Sequence, residues 1–96
     1  MTEFFITDKV REKLRDKHQV EVHEVHEAFS RRVRGKFLLE TRLEHATHLS
    51  YWFISNTNAN RTLKLIFIPY AQEDLIVIKS AYEPNAEEFN QWQTSG

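Results

Sequence analysis

The chain has 96 residues, 41% of them hydrophobic and 12% aromatic, with only two glycines and two prolines. That is enough for one core, too little for two, and leaves small room for linkers. No cysteine is present, which excludes disulfides, thiolate metal sites and a cysteine nucleophile.

The net charge of −1 hides an uneven distribution. Residues 9–42 carry ten Lys or Arg against six Asp or Glu, whereas residues beyond 72 carry one Lys against five acids. The basic half suits a polyanion or a set of solvated helix faces, and the balanced total argues against a strong, sequence-blind nucleic-acid binder. The N-terminus MTEFFITDKV has no basic region followed by an apolar stretch of signal-peptide length. No apolar run approaches the ~20 residues of a membrane span, so the expectation is a cytoplasmic protein with no membrane contact.

In chain order, Thr7 or Asp8 is placed to cap a first helix over residues 8–17, with Val10 and Leu14 on its buried stripe. A second helical pattern follows in which Val22, Val25 and Phe29 share one face, Ala28 lies beside it, and Glu21, Glu24 and Glu27 point to water. It ends in the basic run Arg31, Arg32, Arg34 and Lys36, with Gly35 as the breaker. The period then changes from about 3.6 to 2. Residues 37–39 are a short strand signal, a polar loop occupies residues 40–50, and residues 51–55 form a stronger, aromatic strand. The Asn-rich loop 56–61 suits a turn with left-handed positions. Residues 62–68 form a third strand, stopped by Pro69, and residues 75–81 a fourth.

Strands three and four are apolar at nearly every position except Lys64 and Lys79, the pattern of central strands covered on both faces. Connections of about five or six residues favour antiparallel neighbours. Pro84 suits a helix start, and Phe89 and Trp92 share a face of a last helix over residues 85–92. The predicted architecture is α+β: two N-terminal helices, an antiparallel β-meander of about four strands from Lys36 to Tyr82, and a C-terminal helix.

Five histidines raise the question of a metal, but His18, His23, His26, His45 and His48 match no ligand spacing such as HExxH, and no metal site is expected. There is no GxSxG elbow and no Gly-rich phosphate loop, so no cofactor is expected either. What remains is a set of cationic and acid–base side chains near strand and helix ends: Lys17, His18, Arg61, Lys64, Lys79, Tyr82, Glu83 and Glu88. RNA cleavage without a metal needs such a set. A base takes the ribose 2′-OH proton, an acid protonates the leaving 5′-oxygen, and cations stabilise the phosphorane. Each residue also has a structural reading, Lys64 and Lys79 as snorkelling lysines, Arg61 as a loop closer, and Glu88 as a solvated helix acid.

The order of these motifs resembles the BrnT family, toxins of bacterial toxin–antitoxin pairs with a RelE-like fold. The family pattern Lys-His-Gly-Val is met by Lys17, His18, Gln19 and Val20, followed by EVHEVHEAF. Asn58 to Arg61 and TLKLIFI match its turn and strand, and Ile78, Lys79, Ser80, Ala81 and Tyr82, then Glu88 and Trp92, match its closing Ile-Ser-Ala-Arg stretch. Tyr82 stands where the family has arginine, and Ser55 and Asn56 where it has Gly-Arg. The resemblance implies a metal-independent endoribonuclease that slows growth, with a cognate antitoxin protein as partner and a higher-order complex on operator DNA reached through that antitoxin. The reading built on it has Lys17 or His18 and Glu88 in proton transfer, Arg61 and Lys79 on phosphate in place of the family cations missing at Tyr82 and at Ser55 and Asn56, Tyr82 on a base or a proton, and Arg31, Arg32, Arg34 and Lys64 on RNA. The alternative is a non-catalytic module on the same scaffold that binds protein or RNA.

Overall fold

The computed structural model describes residues 3–40 and 49–95. Its elements run β1 (Glu3–Phe5), α1 (Asp8–His18), α2 (Val22–Ser30), β2 (Leu38–Leu39), β3 (Tyr51–Asn56), β4 (Thr62–Tyr70), a 3-10 turn (Ala71–Glu73), β5 (Leu75–Tyr82) and α3 (Ala86–Thr94). The strands form one five-stranded sheet in the order β1-β5-β4-β3-β2.

The α+β class and the two N-terminal helices stand, and β2 to β5 form the expected antiparallel run. The sheet is mixed, however, because β1 lies parallel to β5, with Phe4 opposite Ile76. Three residues carry too little alternation to announce a strand, and a parallel partner more than 70 residues away leaves no local turn signal. A second correction concerns Pro69, which does not stop β4. The strand continues through Pro69 opposite Ile76 to Tyr70 opposite Leu75. Pro69 is exposed near the strand's end, where a missing ladder donor is tolerated.

The register sorts the side chains into two faces. Phe53, Leu65 and Ala81 are paired across the sheet and face α1 and α2, whose Leu14, Val25, Ala28 and Phe29 are buried with them in one core; the Phe29 and Phe53 rings lie 5.7 Å apart. Trp52 and Ile66, and beside them Ile54, Lys64 and Tyr82, occupy the other face, which α3 covers through Trp92, 6.0 Å from Trp52. Layers on both sides explain why β4 is buried from Leu63 to Ile68.

Between Ile66 and Phe67 the register slips, Ile66 facing Ser80 and Phe67 facing Ile78, so Lys79 is the extra residue of a β-bulge. In α3 the buried pair is Glu88 and Trp92, while Phe89 is 38% exposed. The apolar stripe expected from Phe89 and Trp92 is thus displaced by one residue, because Glu88 finds a buried partner. His45 and His48, and residues 41–48 of the expected polar loop, lie outside the described residues.

Candidate functional site

The site is built around the C-terminus of α1. Thr7 begins that helix, its Oγ1 accepting from Val10 N at 3.1 Å, and Asp8 in the first turn with Arg15 and Lys17 in the last complement the helix dipole. The helix stops at Gln19, which takes a left-handed conformation with φ 51°, and Val20 N donates to Leu14 O at 2.9 Å to close the end. His18 is thereby held at the lip of the helix, facing the last residues of β5.

Arg61 fixes that arrangement. Its Nη1 donates to Gln19 O at 2.7 Å and to Glu24 at 3.0 and 3.1 Å, its Nη2 to His18 O at 3.1 Å, and its Nε to Glu83 Oε2 at 2.8 Å. One guanidinium fork thus ties the end of α1, the first turn of α2 and the end of β5. The loop before it is closed by its own side chains: Asn56 Nδ2 donates to Asn60 Oδ1, and Arg61 N donates to Thr57 Oγ1. Asn60 takes φ 66°. Glu24, expected in water, is one of Arg61's partners with a side chain only 16% exposed. Burial tends to raise the Glu24 carboxyl, but bonds from Glu21 N and Arg61 outweigh it and bring it below the ordinary range.

Lys17, His18, Gln19, Arg61, Tyr82 and Glu83 line an open cleft of about 280 Å³. The His18 ring lies 5.3 Å from the Tyr82 ring at an angle of 35°. Burial, then Lys13 and Lys17, hold the His18 imidazole below its usual 6.5. Lys13 donates from Nζ to the carbonyl of the bulge residue Lys79 at 3.2 Å, and burial, Lys17 and Lys79 lower its ammonium from the usual value. Lys13, Lys17 and Lys79 therefore form a positive strip beside a histidine that is neutral at physiological pH. Lys13 is the member sequence reading missed, although its spacing of four from Lys17 put both on one helix face.

Behind Tyr82 is a buried charge cluster. Lys64 is 2% exposed. Its Nζ donates to Glu88 Oε2 at 2.7 Å, lies 3.8 Å from Glu40 Oε2 and sits 4.4 Å from the centre of the Trp52 ring. Tyr82 donates its hydroxyl proton to the same Glu88 oxygen at 3.0 Å, and Glu88 Oε1 accepts from Asn85 N at 3.0 Å, capping α3. Burial works to raise the Glu88 carboxyl; the bonds from Lys64, Asn85 and Tyr82 and the lysine charge outweigh it and bring it down to about 2. A carboxylate so held is a poor proton acceptor near neutral pH. Lys64 is thus a buried, paired lysine on the α3 face rather than a snorkelling one, and with Glu40, Trp52 and Glu88 it lines a separate recess of about 250 Å³.

The remaining predicted residues lie elsewhere. Arg31 is the C-terminal cap of α2, about 10 Å along that helix from Glu24, which meets Arg61. Arg32 covers the Phe29 ring at 3.9 Å and donates to Phe29 O at 2.8 Å, while Arg31 and Arg34 are exposed. His23 and His26 are exposed on α2, and His26 packs edge-on against Phe4 at 4.8 Å. Among the described residues no group of His, Asp and Glu converges on a metal-sized site, and no helix is long and apolar enough to cross a membrane. A wider cleft of about 530 Å³, lined by Arg61, Thr62, Glu83, Pro84, Asn85, Ala86 and Phe89, offers as ionisable groups only Arg61 and Glu83, already bonded to each other, so the chemistry favours the smaller one. Compared with known proteins, the chain matches no family model and no curated protein.

Proposed function

We propose that the protein is a metal-independent endoribonuclease of the BrnT-like toxin type, cutting RNA by attack of a ribose 2′-OH on the adjacent phosphate. The observation that carries this reading is the His18 imidazole, held below its usual 6.5, in a cleft that Lys17 also lines, with Lys13 acting on His18 and Lys79 next to Lys13. His18 takes the 2′-OH proton. Lys17 and Lys79 stabilise the phosphorane, and Lys13, its ammonium made more acidic by burial and its neighbours, protonates the leaving 5′-oxygen. Arg61 holds His18 and Gln19 through their carbonyls.

A second feature supports the family reading. Gln19, with its left-handed backbone, occupies the position that the Lys-His-Gly-Val pattern gives to glycine, the residue that adopts this conformation without strain. On this reading a cognate antitoxin covers the cleft and carries the toxin to operator DNA.

The test is cleavage of single-stranded RNA with EDTA present, together with growth on expression without an antitoxin. His18→Gln lowers the cleavage rate by about 10²–10⁴-fold and relieves the growth defect, in protein that melts like the wild type. Intact RNA and unimpaired growth with the wild-type protein would refute the proposal and favour the non-catalytic module.

A further inference from the structure

The cleft does not explain why a lysine and a glutamate are buried behind it. Lys64 and Glu88 side chains are 3% and 12% exposed, and burying such a pair gains little stability over an apolar pair of the same volume. Their shared contact points toward the cleft. Tyr82 donates to the Glu88 oxygen that also receives Lys64, Lys64 Nζ stands 5.7 Å from the centre of the Tyr82 ring, and that ring is in turn 5.3 Å from His18. Asn85 N fixes the second Glu88 oxygen, so the carboxylate cannot rotate without uncapping α3. The chain of contacts runs from α3 through β4 and the end of β5 to the tip of α1.

We infer that Lys64 and Glu88 are positioning residues that act through Tyr82: Glu88, held in place by Lys64, accepts the phenol hydrogen bond and so fixes the Tyr82 ring as the wall against which His18 is oriented. Neither touches RNA in this account. The inference rests on His18 being the base of the proposed reaction, but its geometric part is independent of that reaction. The charged and titratable groups facing His18 are Lys13 and Lys17 on α1, Arg61 at its carbonyl, and Tyr82 and Glu83 across the cleft. Of these groups Tyr82 is the one in contact with Lys64 and Glu88, so a response of His18 to a change at that pair travels through Tyr82.

The experiment compares wild type, the paired variant Lys64→Met/Glu88→Gln, Tyr82→Phe and the triple variant. Removing both charges together leaves neither member of the pair charged without the other, while Glu40 loses its 3.8 Å contact with Lys64, and glutamine keeps an acceptor for Asn85 N. The paired variant and Tyr82→Phe each lower kcat by about 10- to 100-fold. The triple variant falls no further. KM and affinity for an RNA made uncleavable by one 2′-deoxy position stay at the wild-type values. By NMR, the His18 titration midpoint moves upward in both variants, toward that of a solvated histidine. Multiplied losses, an affinity that falls with kcat, or an unmoved His18 titration would overturn the inference. Should the paired variant fail to fold, Tyr82→Phe decides by the same criteria. Should wild-type protein leave RNA intact, the proposed function fails and the His18 titration alone decides this inference.

Discussion

Gln19 holds φ 51° and ψ 42°, a region in which a side chain bearing Cβ is strained by about 1–2 kcal/mol relative to the right-handed form. Its side chain is exposed, and its carbonyl, the group Arg61 uses, is retained by any residue. Gln19→Gly therefore relieves the strain without removing a contact, and the greater freedom of glycine in the unfolded chain offsets part of the gain. Urea unfolding should show an increase of about 0.5–1 kcal/mol and a Tm raised by roughly 2–8 °C. An unchanged or lowered stability would mean that the glutamine side chain makes a contribution of its own.

At the scale of elements, the join between β4 and α3 depends on an ionised Glu88. Its folded value of about 2 lies below the ordinary 4.5, so the stabilisation is fully present above pH 4.5 and disappears as pH falls toward 2. The shift corresponds to something on the order of 3 kcal/mol. The loss of stability between those pH values should be visibly smaller in Lys64→Met/Glu88→Gln, measured by urea midpoints along a pH series. A variant that loses stability as steeply as the wild type would place the acid sensitivity elsewhere, Glu24 and its Arg61 bond being the next group in line.

Much of this element structure is legible in the sequence, for identifiable reasons. The change of period from about 3.6 to 2 marks helices and strands, and the near-continuous apolar run of β4 marks a strand with both faces covered. Pairings that span long stretches of chain are not legible. Strand β1 is paired with Leu75, Ile76 and Val77 near the other end of the chain. Lys64 looks like a lysine with its head in water until α3 brings Glu88 to it from 24 residues away. Within the site, Lys17, His18, Arg61 and Tyr82 are drawn to one cleft as the sequence reading grouped them. The run Arg31, Arg32 and Arg34 falls at the opposite end of α2, because a helix separates what sequence proximity cannot.

For the whole molecule, the layers on the sheet divide the labour. Both faces are apolar, Phe53 and Leu65 under α1 and α2 and Trp52, Ile54 and Ile66 under α3, while the α3 face also carries the Lys64–Glu88 charges whose contacts reach the cleft through one tyrosine. The cleft thus joins a positive strip from α1 and β5 to a support assembled from β4 and α3. Its central claim is that this arrangement promotes attack by a 2′-OH. The most direct measurement is the pH dependence of cleavage of a single-stranded RNA, with the new ends identified and a fully 2′-deoxy strand as control. The account predicts ends bearing 2′,3′-cyclic phosphate or its 3′-phosphate product, an intact deoxy strand, and a rate that rises with pH through an inflection below 6.5, where His18 loses its proton. Cleavage of the deoxy strand, or a rate insensitive to pH in that range and unaltered in His18→Gln, would contradict it.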